Sequence, residues 1–324
     1  MVSTAAIRVK TLAWVTIWTT LALLALGNVV TTTGSGMGCG DHWPDCNGQW
    51  IPDLSNPSVL IEFSHRVLAG LIGLLTLITA VIAWQVKAAP HRKRLTITSV
   101  VALLLLILQI VLGALTVRYE LPPRVVFLHL GVSMAFFAAL VVLAHLARDA
   151  ASERAKSVGA CAIAVARFHT LSRWTAAVLY LQILLGAHVR HSGAGLACGA
   201  QWLDALLCQG QWIPPLQELP MVQFTHRLLA LIVAGLIMSV AAQARRAQLP
   251  YALVRQARGA AALVVLQIAF GVMSVTSLLS AHWTTLHLVT AALMLALLVG
   301  LVAQSRPSVL IEGSAAQSRE VAAS

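Results

Sequence analysis

Apolar residues in this chain come in long, nearly unbroken stretches rather than in alternation or in narrow stripes. Eight stretches reach the roughly 20 residues that a helix rising about 1.5 Å per residue needs to cross a bilayer. They cover 11–31, 59–86, 96–117, 125–147, 172–190, 221–243, 259–280 and 283–304. Barrel strands would be about 10 residues long with alternating polarity, so the stretches predict helices. The expected fold class is an all-α polytopic membrane protein with eight transmembrane helices.

Composition removes the soluble alternative. The 324 residues are 59% hydrophobic and only 10% charged, against about 25% charged in an ordinary soluble domain. A net charge of +11 would suggest nucleic acid in a soluble protein, but here the charges follow the membrane. With the N-terminus placed inside, 17 of the 22 Lys and Arg fall on inner segments. These are Arg8 and Lys10; Lys87, Arg92, Lys93 and Arg94; Arg148, Arg154, Lys156, Arg167 and Arg173; Arg245, Arg246, Arg255 and Arg258; Arg306 and Arg319. The other five, Arg66, Arg118, Arg124, Arg190 and Arg227, lie on the outer side or just inside its helix ends. Basic residues in short loops stay cytoplasmic, so both termini are expected in the cytoplasm and no nucleic-acid partner is expected. The first stretch follows Arg8 and Lys10 as a signal peptide would, but its apolar core is longer than a usual h-region.

The chain also repeats itself, which argues for retaining that first helix. Gly27, Gly34, Cys39, Gly40, Trp43 and Asp45 recur 159 residues later as Gly186, Gly193, Cys198, Gly199, Trp202 and Asp204. A three-residue insertion then carries Cys46 to Cys208 and the pentapeptide beginning at Gly48 to Gly210. Phe63-Ser64-His65-Arg66 returns as Phe224-Thr225-His226-Arg227, Leu108-Gln109-Ile110 as Leu266-Gln267-Ile268, and Leu128-His129-Leu130 as Leu286-His287-Leu288. Two copies of a four-helix unit follow, inserted in the same direction as parallel repeats. The expected divisions are a first half 1–147, a cytoplasmic linker 148–173, a second half 174–304 and a cytoplasmic tail 305–324.

Each copy puts one His in its second helix and one in its fourth: His65 with His129, and His226 with His287. All four sit a few residues inside the outer helix ends. Ionisable residues within a membrane are costly and point to function, and two facing imidazoles in a four-helix bundle are a natural axial pair for haem iron. The bland alternative is a hydrogen bond from each His to a neighbouring helix. Zinc is disfavoured because no third and fourth ligand converge. Arg66 and Arg227 could pair with haem propionates or could be snorkelling interfacial cations. His91, His145 and His169 read as solvated or interfacial on the inner side, and His42, His188, His191 and His282 as residues of the outer surface.

The two copies differ next to the histidines. Glu62 stands three residues before His65 and so on the same helix face, whereas Gln223 holds that place before His226. A carboxylate beside a cofactor can act as base or charge stabiliser, which points to the first half as the reactive one; a hydrated interfacial Glu is the alternative. Cys39 with Cys46, and Cys198 with Cys208, form two repeat-related pairs in loops placed outside, where disulfides persist. Their role could be structural or redox. Cys161, on the inner side, reads as a bystander thiol.

Taken together, the run from Thr33 to Cys39, Trp43-Pro44 with Cys46, the Glu62-Phe63-Ser64-His65-Arg66 motif and Val189-Arg190-His191-Ser192-Gly193 leading to Cys198 resemble the haem A synthase family of respiratory-oxidase assembly proteins. The resemblance spans both halves, roughly 11–304. It implies a bacterial inner (plasma) membrane protein that oxidises the C8 methyl group of haem O to a formyl group, giving haem A for cytochrome oxidase. It further implies haem O as substrate between His65 and His129, a resident haem b between His226 and His287, and Glu62 as the essential acid. The haem O-producing farnesyltransferase, membrane lipid, a further copy of the chain and an electron acceptor that the sequence does not identify are the expected partners. The ten-residue spacing of the second cysteine pair, against seven in the first, departs from some family members. Two rivals stand beside this reading. A dihaem membrane cytochrome b without haem-modifying activity would leave the Glu62/Gln223 difference unexplained, and a membrane thiol oxidoreductase would leave all four histidines unexplained.

Overall fold

The computed structural model describes residues 4–86, 89–151, 162–202, 204, 207–214, 216 and 218–306, the side chains of 89–91 apart. Lys87, Arg154, Lys156, Cys161 and Arg319, together with most of the linker and the tail, lie outside the described residues. Eight long helices run in order: α1 (Thr4–Thr32), α2 (Pro57–Trp84), α3 (Ala89–Arg118), α4 (Pro123–Ala150), α5 (Ala162–His191), α6 (Glu218–Arg246), α7 (Tyr251–Thr276) and α8 (Ala281–Gln304). Among the described residues there is no strand, only an isolated bridge in each cysteine loop, Cys46 with Gln49 and Cys208 with Gln211. The all-helical polytopic expectation holds.

Seven of these helices are long and apolar enough to cross a membrane by composition alone. The eighth, α5, is as long as α3 but carries Arg167, Arg173, Gln182, His188 and Arg190. Its polar positions dilute its hydropathy, and its place in the bundle beside α6, α8 and α4 rests on packing. It also starts ten residues before the apolar stretch 172–190, because helical hydrogen bonding continues past the apolar core while long basic side chains reach out along it.

Local signals set the ends. Asn56 caps α2, its side-chain oxygen accepting the Ser58 N–H at 2.9 Å, and Pro57 occupies the first turn, where its missing N–H is not needed. Pro123 plays the same part in α4. The α3–α4 and α7–α8 turns are copies: Glu120-Leu121 and Leu278-Leu279 all adopt positive φ. The Leu121 N–H reaches Thr116 O at 2.8 Å and the Leu279 N–H reaches Ser274 O at 2.7 Å. Within the helices, hydroxyls such as those of Thr16, Thr20, Thr76 and Thr290 donate to the carbonyl four residues back, so these donors are not left bare in an apolar setting.

In the first half α1 packs on α2 and α4, and α3 packs on the same two; α5 to α8 repeat the arrangement. Helices α2 and α4 are therefore diagonal across one bundle, and α6 and α8 across the other. The halves meet through α4 against α8, with α1 on α8 and α5 on α4. Deeply buried side chains line both of these helices, among them Phe137 and Leu140 of α4 and Leu295 and Leu298 of α8. Near the cysteine-loop end Asn28 Nδ2 donates to the hydroxyls of Thr284 and Thr285 at 3.0 and 2.9 Å, tying α1 to α8. Exposed leucines and isoleucines such as Leu74, Leu77, Ile107, Leu231 and Ile268 face outward, as a lipid-bathed surface requires.

Candidate functional site

The four expected histidines lie on the diagonal helices, near the end that carries the cysteine loops. His65 comes eight residues after the start of α2 and His129 six residues after the start of α4; His226 and His287 repeat these depths on α6 and α8. At about 1.5 Å per residue each pair sits on the order of 10 Å below its helix ends.

Every one of these rings lies against a glycine of an adjacent helix in its own half. A Cβ added at Gly27 of α1 would stand 3.2 Å from His65 Nε2, and one at Gly113 of α3 3.5 Å from His129 Cε1. At Gly186 of α5 and Gly271 of α7 the corresponding distances to the Cε1 atoms of His226 and His287 are 3.0 Å. The absent side chains let each imidazole lie directly against the backbone of the neighbouring helix. Gly113 and Gly271 carry the same repeat signal as the histidines, although glycine is too common in membrane helices to stand out alone.

The hydrogen bonds around the rings differ between halves. His129 Nδ1 is buried without a partner, and among the described residues no hydrogen bond reaches the His65 ring. In the second half His287 Nδ1 lies 3.0 Å from the Gln267 carbonyl oxygen and its Nε2 lies 3.2 Å from the Gln267 amide nitrogen. Gln182 Nε2 is 3.0 Å from His226 Nδ1 and donates to the His226 carbonyl at 2.9 Å. In the first half Gln109, the counterpart of Gln267, donates to the His129 carbonyl at 2.8 Å and accepts the Ser133 hydroxyl at 3.1 Å. Position 291, the repeat of Ser133, is Ala.

One turn nearer the loops sits Glu62, only 4% exposed. It is buried rather than hydrated. Its Oε2 accepts the Cys39 backbone N–H at 2.9 Å and its Oε1 accepts from Arg66 Nη2 at 2.5 Å. Gln223, 3% exposed, makes the matching bond: its Oε1 accepts the Cys198 N–H at 2.6 Å, while its Nε2 donates to Gly195 O at 2.7 Å. The amide thus replaces a carboxylate without changing how the loop is held.

Arg66 and Arg227 reach over the cysteine loops. Arg66 Nη1 donates to the carbonyls of His42 and Asp45 at 2.8 and 2.5 Å, and Arg227 Nη1 to those of Asp204 and Leu207 at 2.5 and 3.1 Å. Arg66 has Glu62 as an ion-pair partner; among the described residues no carboxylate stands within ion-pair distance of Arg227, and its Nη2 is a buried donor without an acceptor. Both cysteine pairs are joined, Cys39 to Cys46 and Cys198 to Cys208, with all four sulfurs buried. Gly38 packs so tightly on the start of α2 that a Cβ would run into the Ser58 carbonyl, which presses the first loop onto the helix bearing Glu62.

Among the described residues no group of three His, Cys, Asp or Glu converges as a metal cage. What the site offers is two imidazole pairs on diagonal helices, each ring packed against a glycine. That donor set fits a planar metal macrocycle ligated from both faces and does not fit a bare zinc ion.

Comparison with known proteins places the chain among relatives. The family described as cytochrome oxidase assembly protein (COX15-CtaA) matches residues 54–299. The chain is similar to the protein named Heme A synthase of Geobacillus kaustophilus, 37% identical over 243 residues that make up 73% of each chain. It is 32% identical over 284 residues to the Heme A synthase of Bacillus pumilus, covering 86% of this chain and 89% of that one. To that of Symbiobacterium thermophilum it is 36% identical over 259 residues, 79% and 82% of the two chains.

Proposed function

The chain belongs to the COX15-CtaA family of cytochrome oxidase assembly proteins, and we propose that it is a haem A synthase whose two halves divide the labour. His65 and His129 hold substrate haem O, His226 and His287 hold a resident haem b, and Glu62 works beside the substrate. The observation that carries this reading is the duplicated diagonal imidazole pair with a buried carboxylate on one side only. The protein is an enzyme of the bacterial inner membrane with both termini in the cytoplasm and the disulfide loops outside, as the distribution of Lys and Arg supports.

Turning the C8 methyl into a formyl group takes up the oxygen of one water and releases four protons and four electrons. The resident haem b would supply the route by which electrons leave. Loss of electrons from the methyl carbon leaves positive charge beside the ring, and an anion near it lowers that barrier. Glu62 is the candidate: each of its oxygens has one partner, Cys39 N–H or Arg66, and a carboxylate oxygen has a second lone pair free to take a proton from water. Arg66 holds the carboxylate in place from the next turn. In the second half, Gln223 keeps the loop contact and cannot take a proton, in keeping with a haem that only passes electrons. Arg227 Nη2, a buried donor without an acceptor, suits a propionate of that haem.

Haem O, its farnesyltransferase source, the lipid around the bundle and a second copy of the chain remain the expected partners, with an electron acceptor of unassigned identity. Pigment extracted from the purified protein and separated by chromatography tests the proposal. Haem B together with haem O or haem A is the expected result, and haem B alone would favour a plain dihaem cytochrome b.

A further inference from the structure

The repeat makes each half a control for the other, and at the end opposite the cysteine loops the halves part. In the first half the inner ends of α1 and α2 are closed by branched side chains: Val86 is fully buried, with Ile82 packed beside it among Ala6, Val9 and Ala83. Carried forward by the 161 residues that separate His65 from His226, the positions of Val81, Ile82, Gln85 and Val86 become Ala242, Gln243, Arg246 and Ala247. Two alanines and an amide thus stand where the first half has branched side chains, and a groove of about 700 Å³ lies there between α5 and α6.

The groove lining combines two cations with apolar walls: Arg167 of α5 and Arg246, the last residue of α6, beside Ile163, Leu171, Ala242 and Ala247. Both arginines are exposed. Among the described residues the one carboxylate at this end, Asp149, stands 3.4 Å from Arg148, and neither groove arginine has an ion-pair partner. The apolar stretches of the two helices begin at 172 and end at 243, so the arginines lie in the headgroup layer just beyond the hydrocarbon. Ser239, which also lines the groove, is seven residues or about 10 Å further back along α6, within the apolar depth. Arginines that only set topology can stand anywhere on the inner segments; these two share one groove, and its repeat counterpart is filled.

We propose that this groove binds one anionic phospholipid of the inner leaflet, its phosphodiester held by Arg167 and Arg246 and an acyl chain lying along Leu171 and Ala242. A guanidinium presents paired donors that match phosphate oxygens, and basic pockets between transmembrane helices at the cytoplasmic surface suit lipid phosphates. A zwitterionic lipid carries its own cation and gains less from the arginine pair. The first half keeps one of the two cations, Arg8 at the place of Arg167, but it has Gln85 for Arg246 and fills the space with Ile82 and Val86. A lipid seated in the second half ties α5, whose hydropathy falls short of the other seven helices, to α6, which carries His226.

The purified protein with haem bound, in neutral detergent, is titrated with phosphatidylglycerol; native mass spectrometry counts bound lipid and thermal melts follow stability. Wild type is expected to hold one phosphatidylglycerol and to melt higher with it, and phosphatidylcholine and inorganic phosphate should do neither. Arg167→Gln combined with Arg246→Gln should weaken binding on the order of 10- to 30-fold, whereas Arg8→Gln should leave it unchanged. Ala242→Val with Gln243→Ile and Ala247→Val restores the first-half side chains and keeps both arginines. Loss of lipid from that variant reads the groove apart from the charge, and it still reports if the arginine variant does not fold. Wild-type binding by the filled groove would overturn the inference, as would equal binding of phosphatidylcholine, displacement by inorganic phosphate, or a two-chain mass that the arginine variant reduces to one. None of these readouts depends on haem ligation, so this inference and the proposed function stand or fall separately.

Discussion

Glu62→Gln gives the first half the side chain that the second half already carries, so its structural cost can be read from the molecule itself. Gln223 shows that an amide there still accepts the loop N–H, at 2.6 Å, and gains a bond to Gly195 O; Gly36 is the repeat equivalent of Gly195. The loss is the 2.5 Å contact with Arg66. Removing one partner of a fully buried ion pair costs about 3–5 kcal/mol. Arg66, however, is partly exposed and keeps the carbonyls of His42 and Asp45, as Arg227 keeps those of Asp204 and Leu207. A loss nearer 1–3 kcal/mol is therefore expected, as for one charged hydrogen bond, and it lowers the melting temperature by a few degrees. The catalytic loss is larger, since removing a general base or its charge costs about 10²- to 10⁴-fold. Chromatography of extracted pigment should show haem O accumulating and haem A falling at least about 100-fold, with the haem b spectrum intact. Normal haem A from a folded Glu62→Gln protein would refute the assignment of the reactive acid.

Three further outcomes follow from the same geometry. His226→Ala or His287→Ala should abolish the low-spin haem b signal in a reduced-minus-oxidised spectrum, whereas loss of that signal on His65→Ala alone would mean that the halves have exchanged roles. Gly271→Ala should weaken haem retention and cost about 1–3 kcal/mol by overpacking, because its Cβ would stand 3.0 Å from the His287 ring. Gly113→Ala, with 3.5 Å to His129, should be near neutral, and thermal melts of the two variants check the order. Cys39→Ser opens a loop of seven-residue separation and should cost about 2–3 kcal/mol by the chain-entropy relation, read as a lower melting temperature without loss of the haem b spectrum.

The sequence exposes the parts of this protein that repeat and the parts that are long. The spans, the two copies and the four histidines are visible because each signal recurs at an offset near 159 residues. α5 shows the limit of reading by hydropathy: the stretch 172–190 marks the helix, but its arginines and Gln182 dilute its hydropathy, and its full extent from Ala162 to His191 emerges only in the fold. Glu62 stands out against Gln223 in one dimension, but its two partners, Cys39 N–H and Arg66, depend on how the disulfide loop folds back over α2, which spacing does not encode. Arg66 and Arg227 look like propionate partners in the sequence, yet most of their bonds go to loop carbonyls, because the loops close directly above them. Gln182 escapes sequence reading for the opposite reason: it has no repeat partner, and one glutamine in an apolar run carries no signal until the ring beside it is seen.

The central claim is that the diagonal imidazoles clamp haem iron, and the most direct test is electron paramagnetic resonance of the oxidised, purified protein, wild type beside His226→Ala and His287→Ala. The low-spin bis-imidazole signal of the resident haem, present in the wild type and lost in both variants, is predicted. An unaltered signal in either variant would contradict the account.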